Sequence, residues 1–140
     1  MLENAERFVT EMTKVGLKYR EPQDLPNGST AIACGINGRC NVYEVVFFFD
    51  ADGHSMSVRV FNLVKVPVDR QLPVIELLNS LNAQYRWIKF YVNPQNDVNI
   101  QADAIISSET SGPIAVELLF RIIKIIDDTY PRIMKAVWSD

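Results

Sequence analysis

Three side chains of this 140-residue chain could hold a soft metal ion: Cys34, Cys40 and His54. A structural zinc site takes four Cys or His ligands in closely spaced pairs, and a catalytic one takes three with an open position. Two cysteines and one distant histidine are better read as ordinary residues, two of them beside turns. Asp50-Ala51-Asp52-Gly53 resembles the start of a calcium loop. Its glycine falls two positions early, however, and no acid stands at the distal position. Ser107 to Gly112 precedes a helical pattern, where an anion could meet free N–H groups. Without the lysine and glycine spacing of a phosphate loop, it reads as a helix-entry loop. Asp127 and Asp128 are neighbours on a helix and diverge, so they are no acid–base pair. A single histidine beside a turn leaves a Ser-His-Asp or Cys-His arrangement little to build on. The expectation is a protein without catalytic residues, metal or cofactor.

Composition narrows the class further. Hydrophobic residues make up 48% and charged residues 22% of the chain, a globular balance with enough apolar mass for one core. We expect a single domain over residues 1–140. A net charge of -3, with Lys and Arg scattered singly, argues against a nucleic-acid partner. No stretch reaches the ~18 apolar residues of a membrane span. Glu3, Glu6, Arg7 and Glu11 interrupt the apolar positions of the N-terminus, so a signal peptide is not expected. Two cysteines make no disulfide framework, and the cytoplasm is the expected compartment.

Periodicity supplies the elements. Ala5, Phe8, Val9 and Met12 recur at helical spacing, and that helix ends near Gly16. Arg20 to Ser29, with two prolines, reads as a loop. Strands are predicted over Ser29 to Ile36, Cys40 to Phe49 and His54 to about Val64, with turns at Asn37-Gly38 and Asp52-Gly53. Asp69 is placed to cap a second helix, with Pro73 in its first turn and Val74, Leu77, Leu78, Leu81 and Tyr85 as its stripe. Strands over Arg86 to Val92 and Asp97 to Ala104 flank a loop at Asn93 to Asn96. A last helix starts at Pro113 and should kink or break at Pro131, before an amphipathic turn carrying Ile133, Met134, Val137 and Trp138.

The turns imply a register, and the register sorts side chains by face. A two-residue loop at Asp52-Gly53 sets Phe49 opposite Met56, Phe47 opposite Val58 and Val45 opposite Val60. A similar loop at Asn37-Gly38 sets Tyr43 opposite Ile32 and Asn41 opposite Cys34. Both put Val45, Phe47 and Phe49 inside, and they turn Cys34 inward and Cys40 outward. A three-residue loop at Ile36 to Gly38 would instead bring the cysteines opposite each other. Val42, Val46 and Phe48 then occupy the other face, shared by Phe61, Arg59, Ser57 and Ser55, with Trp87 and Tyr91 joining by alternation. Either helices cover both faces, or the second face is an interface, because large exposed apolar patches mark binding sites.

Leu78-Asn79-Ser80-Leu81-Asn82, Trp87-Ile88-Lys89-Phe90, Asp97-Val98 and Asp103 resemble the YbjN-domain family. Its members carry the label of bacterial sensory transduction regulators. The likeness is sharpest from Leu77 to Asp103, and Gln95-Asn96-Asp97 stands where the family usually has an Asp-Gly turn. The resemblance implies a fold like that of type III secretion chaperones, α-β-β-β-α-β-β-α with an antiparallel sheet packed by helices, and commonly dimeric. It implies no catalytic residues. Together these readings predict an α+β, non-enzymatic interaction or regulatory module, a homodimer that binds a protein or peptide partner. Val46, Phe48, Phe61, Trp87 and Tyr91 are the expected contact residues. The alternative is a small-ligand sensor or cryptic enzyme with a pocket between helix and sheet.

Overall fold

A computed structural model describes residues 1–139. The chain runs through α1 (Glu3–Lys14), β1 (Gln23–Asp24), β2 (Thr30–Asn37), β3 (Val42–Phe49) and β4 (Ser55–Lys65). It continues through α2 (Gln71–Gln84), β5 (Lys89–Val92), β6 (Asp97–Ile105) and α3 (Ser111–Trp138). All strand pairs are antiparallel, in the order β1-β2-β3-β4-β6-β5. This is the expected α+β architecture, with one addition. The Pro-rich segment read as a loop contributes β1, which pairs Gln23 with Ala31 and Asp24 with Thr30.

The core lies between one face of the sheet and the three helices. Alternation along β3 sends Tyr43, Val45, Phe47 and Phe49 inward, all buried, as are Met56, Val58 and Val60 of β4. Phe8 of α1 lies on this layer, its ring 4.5 Å from that of Phe47 and 5.5 Å from that of Phe49. Val74, Leu78 and Leu81 face inward from α2. α3 supplies the largest apolar wall, including Leu119, Ile122 and Ile126. α1 and α3 touch so closely that a side chain at Gly112 would place its Cβ 2.8 Å from the Arg7 carbonyl oxygen. No helix among the described residues is long and apolar enough to cross a membrane.

The β3–β4 register is the expected one, Phe49↔Met56 and Phe47↔Val58. The preceding hairpin differs. Its strands pair as Ile32↔Phe47 and Ile36↔Tyr43, and Gly38 N–H donates to the Asn41 carbonyl, so Arg39 and Cys40 form the turn rather than Asn37-Gly38. Gly38 is not a left-handed turn residue here. It is needed because a Cβ would strike the Tyr43 ring and stand 2.6 Å from Asp127 Oδ1, which accepts the Arg39 N–H at 2.8 Å. Docking on α3 thus moves the turn. Because each partner moves by an even number of residues, every side chain keeps its face.

Three further expectations are corrected. Asp69 lies in a short 3-10 turn, Val68–Arg70, and caps nothing with its side chain. Pro131 does not break α3, which stays helical to Trp138. The loss of one backbone bond is outweighed by burial of Ile133 and Val137, and Arg70 Nε and Nη2 hold the Ala136 carbonyl at 3.1 and 2.9 Å. The strand expected from Arg86 begins only at Lys89, because Trp87 has a φ of 79°.

Candidate functional site

The groups suited to nucleophilic or metal chemistry are kept apart by the fold. Cys34 pairs with Val45 inside the core, and burial pushes its thiol up to about 12, far from the reactive thiolate. Cys40 is exposed in the turn, and both are free thiols. The two therefore do not stand opposite each other. Among the described residues no three of His, Cys, Asp and Glu come together as metal ligands would. The Asp52 carboxyl is held low, chiefly by the His54 backbone N–H at 2.7 Å, and serves the turn. Tyr43 is buried with its hydroxyl unpartnered, and burial raises it to about 12.

The outer face of the sheet offers more. The helices pack on the inner face alone, so the side chains that alternate outward meet no helix. Ala33, Val46, Arg59, Gln101 and Lys89 lie in one row across the strands, and Ala31, Phe48, Ser57 and Asp103 in the next. The Phe48 and Phe61 rings meet edge-on, with centroids 6.4 Å apart. Phe61, outward in phase with Ser57 and Arg59, is 42% exposed where β4 becomes irregular between Val60 and Val64. Asn62 there has a φ of 56° and donates its N–H to Asn99 Oδ1 at 2.8 Å. Asn99, only 4% exposed, donates in turn to the Tyr91 hydroxyl at 3.4 Å. Arg59 lies flat on this surface, its Nε donating to Ser57 Oγ at 3.1 Å and its guanidinium 6.0 Å from the Phe48 ring.

Val46, Phe48, Phe61 and Tyr91 are thus brought onto one face, as their alternation predicts. Arg59 lies with them, its guanidinium beside the Phe48 ring, and aromatic and arginine side chains are enriched at interfaces in general. Its position in phase with Phe61 was the signal available in the sequence. Trp87 is separated from this group. Its positive φ turns the ring to the helix side, where Arg86 stacks at 5.1 Å and Arg121 of α3 at 5.3 Å. There it flanks a groove of about 770 Å³ lined by Ile105, Ile114 and Leu118. Simple alternation missed this, because it assumes extended backbone at every residue.

The two edges of the sheet are treated differently. The outer edge of β5 is closed by the Asn82 carboxamide, which accepts the Phe90 N–H at 2.7 Å and donates to the Phe90 carbonyl at 3.0 Å. β2 is covered in part by β1 and by Arg20, whose N–H donates to the Ala33 carbonyl.

Residues 5–133 match the YbjN family model, described as "Putative bacterial sensory transduction regulator". Among solved structures, the chain is similar to one described as "Crystal structure of YbjN, a putative transcription regulator from E. coli". The TM-score is 0.58 at 12% identity, over 91% of this chain and 92% of that one, a likeness of fold. No curated protein matches the sequence.

Proposed function

The chain belongs to the YbjN family, and from that premise we propose that it is a non-enzymatic regulatory module of the cytoplasm that dimerises and binds a protein partner through the outer face of its sheet. One observation carries this: a sheet packed by helices on one side presents Val46, Phe48, Phe61 and Tyr91, with Arg59, on the other. Antiparallel sheets with one wet face keep that face polar. Removing an apolar patch from water yields ~25 cal/mol per Å², offset by the ordering costs of association. A net charge of -3 favours a protein partner over a nucleic acid. The implied likeness to type III secretion chaperones, which commonly dimerise, points the same way.

Light scattering over a wide concentration range tests the reading. The wild-type chain is expected to run as a dimer, and Phe48→Asp or Arg59→Glu as a folded monomer. A wild-type monomer, or a dimer indifferent to both changes, would remove the outer face from consideration. The small-ligand reading has one feature behind it, a pocket of about 560 Å³ between α3 and the end of β2, lined by Leu17, Ile36, Phe120 and Ile123. Of its two lining cations, Arg39 is turned toward Asp128 at 3.4 Å, and Lys124 has no ion pair among the described residues. Marked thermal stabilisation by a metabolite would bring that pocket forward.

A further inference from the structure

We infer that the groove beside Trp87 binds an extended peptide, which adds to the sheet as a strand along Asp103 to Ile105 of β6. The main chain is the first reason. β5 pairs with β6 only from Val92↔Val98 to Lys89↔Gln101, whereas β4 accompanies β6 to Ile105. Asn93 N–H donates to the Asp97 carbonyl, and Ile106 N–H to the His54 carbonyl. These two bonds set the phase: odd residues of β6 turn their N–H and C=O toward β5, and even ones toward β4. Asp103 and Ile105 therefore aim both groups into a lane that no strand of the described residues fills. β5 would fill it if it ran on, but the positive φ of Trp87 turns the chain away. An unpaired edge of this kind is a template for another strand. The neighbouring edge of β5, by contrast, is closed by Asn82.

The groove is the second reason. A strand in that lane sends alternate side chains toward α3, into the apolar space between Trp87, Ile114 and Leu118. Ile105, 89% exposed, stands at its mouth.

Charge is the third. Arg121 is held by Glu117 at 2.9 Å, but Arg86 has no carboxylate partner among the described residues. A peptide antiparallel to β6 enters at Ile105 and reaches Trp87 with its C-terminal half. An acidic side chain there meets Arg86, which is exposed. The occupant is therefore an extended peptide of alternating β-branched and polar residues, with an acidic residue following its apolar anchor. This lane borders the outer face at Asp103 but uses main-chain groups and a groove apart from the Phe48–Phe61 cluster, so it stands whether or not that face dimerises.

A displayed library of short peptides of that alternating pattern, selected on the whole chain, tests the assignment. Enriched peptides are resynthesised with a fluorophore and titrated by anisotropy. Ile105→Pro removes only an N–H that faces the empty lane, a change an edge position tolerates. It is expected to weaken binding about tenfold, the worth of one net hydrogen bond. Trp87→Gly, which suits the positive φ, opens the groove and is expected to weaken binding at least as much. Arg86→Ala weakens binding of the acidic peptide and leaves its amide counterpart unchanged. Circular dichroism confirms that each variant folds. The assignment is overturned if no peptide is enriched, or if enriched peptides bind Ile105→Pro and Trp87→Gly as they bind wild type. A wild-type dimer that Ile105→Pro splits would overturn it too, since the edge would then pair with a second copy.

Discussion

Phe47, Phe48 and Phe49 are consecutive on β3, yet they occupy two environments. Phe47 and Phe49 are fully buried against Phe8, while Phe48 lies on the outer face beside Phe61 and Arg59. The residue type is the same and the backbone is the same. What differs is what lies opposite: three helices on one side, and no helix among the described residues on the other. An apolar side chain thus tells how much water a surface would shed, and only the rest of the fold tells whether it does so alone.

Five changes break or sharpen that contrast. The largest effect is expected from Phe47→Ala, which should cost about 3–5 kcal/mol in chemical denaturation because it leaves a cavity under α1. Phe48→Ala in the isolated chain should cost about 1 kcal/mol or less. Similar losses at the two positions would mean that the outer face is covered after all.

Asn82→Ala leaves the Phe90 N–H and C=O without their partners and should cost about 1–3 kcal/mol. Hydrogen exchange at Phe90 should quicken while the β3–β4 ladder stays protected. Unchanged exchange would show that α2 does not guard this edge.

Tyr43→Phe removes a buried hydroxyl that has no partner, and should stabilise the chain by about 1 kcal/mol. The same variant sharpens an alkaline effect. Burial raises Tyr43 from 10.0 to about 12 and Cys34 from 9.0 to about 12. Both are acids favoured in the neutral form by folding. Their contribution is complete below the unfolded values and is lost as pH rises from there through the folded values. Stability should fall from about pH 9 upward, less steeply in Tyr43→Phe; equal slopes would show that Tyr43 does not share in it. The smallest change in stability, about 0.5 kcal/mol or less, is expected for Arg59→Ala, whose half-buried side chain touches only Ser57 and the Phe48 ring on the outer face. A larger loss would make Arg59 a structural residue rather than a contact.

The face assignments were legible in advance because strand alternation has a period of two. Val45, Phe47 and Phe49 against Met56 and Val58 admit only one inward side, and an error of even length at the Arg39-Cys40 turn could not disturb it. The family, too, was readable from the stretch between Leu77 and Asp103. The backbone at Trp87 was not legible, nor was the turn anchored by Asp127. In both places a residue far along the chain, Arg121 or Asp127, meets the local segment.

By itself, then, the sequence determined the element order and the inward face of each central strand. These follow from local periodicity and residue type, which act over a few neighbouring positions. The tertiary structure alone decided that β4 pairs with β6, that all three helices share one face, and that β5 stops short of Asp103. Those are outcomes of long-range packing. They depend on which distant surfaces bury most area together, a quantity that no window of neighbouring residues contains.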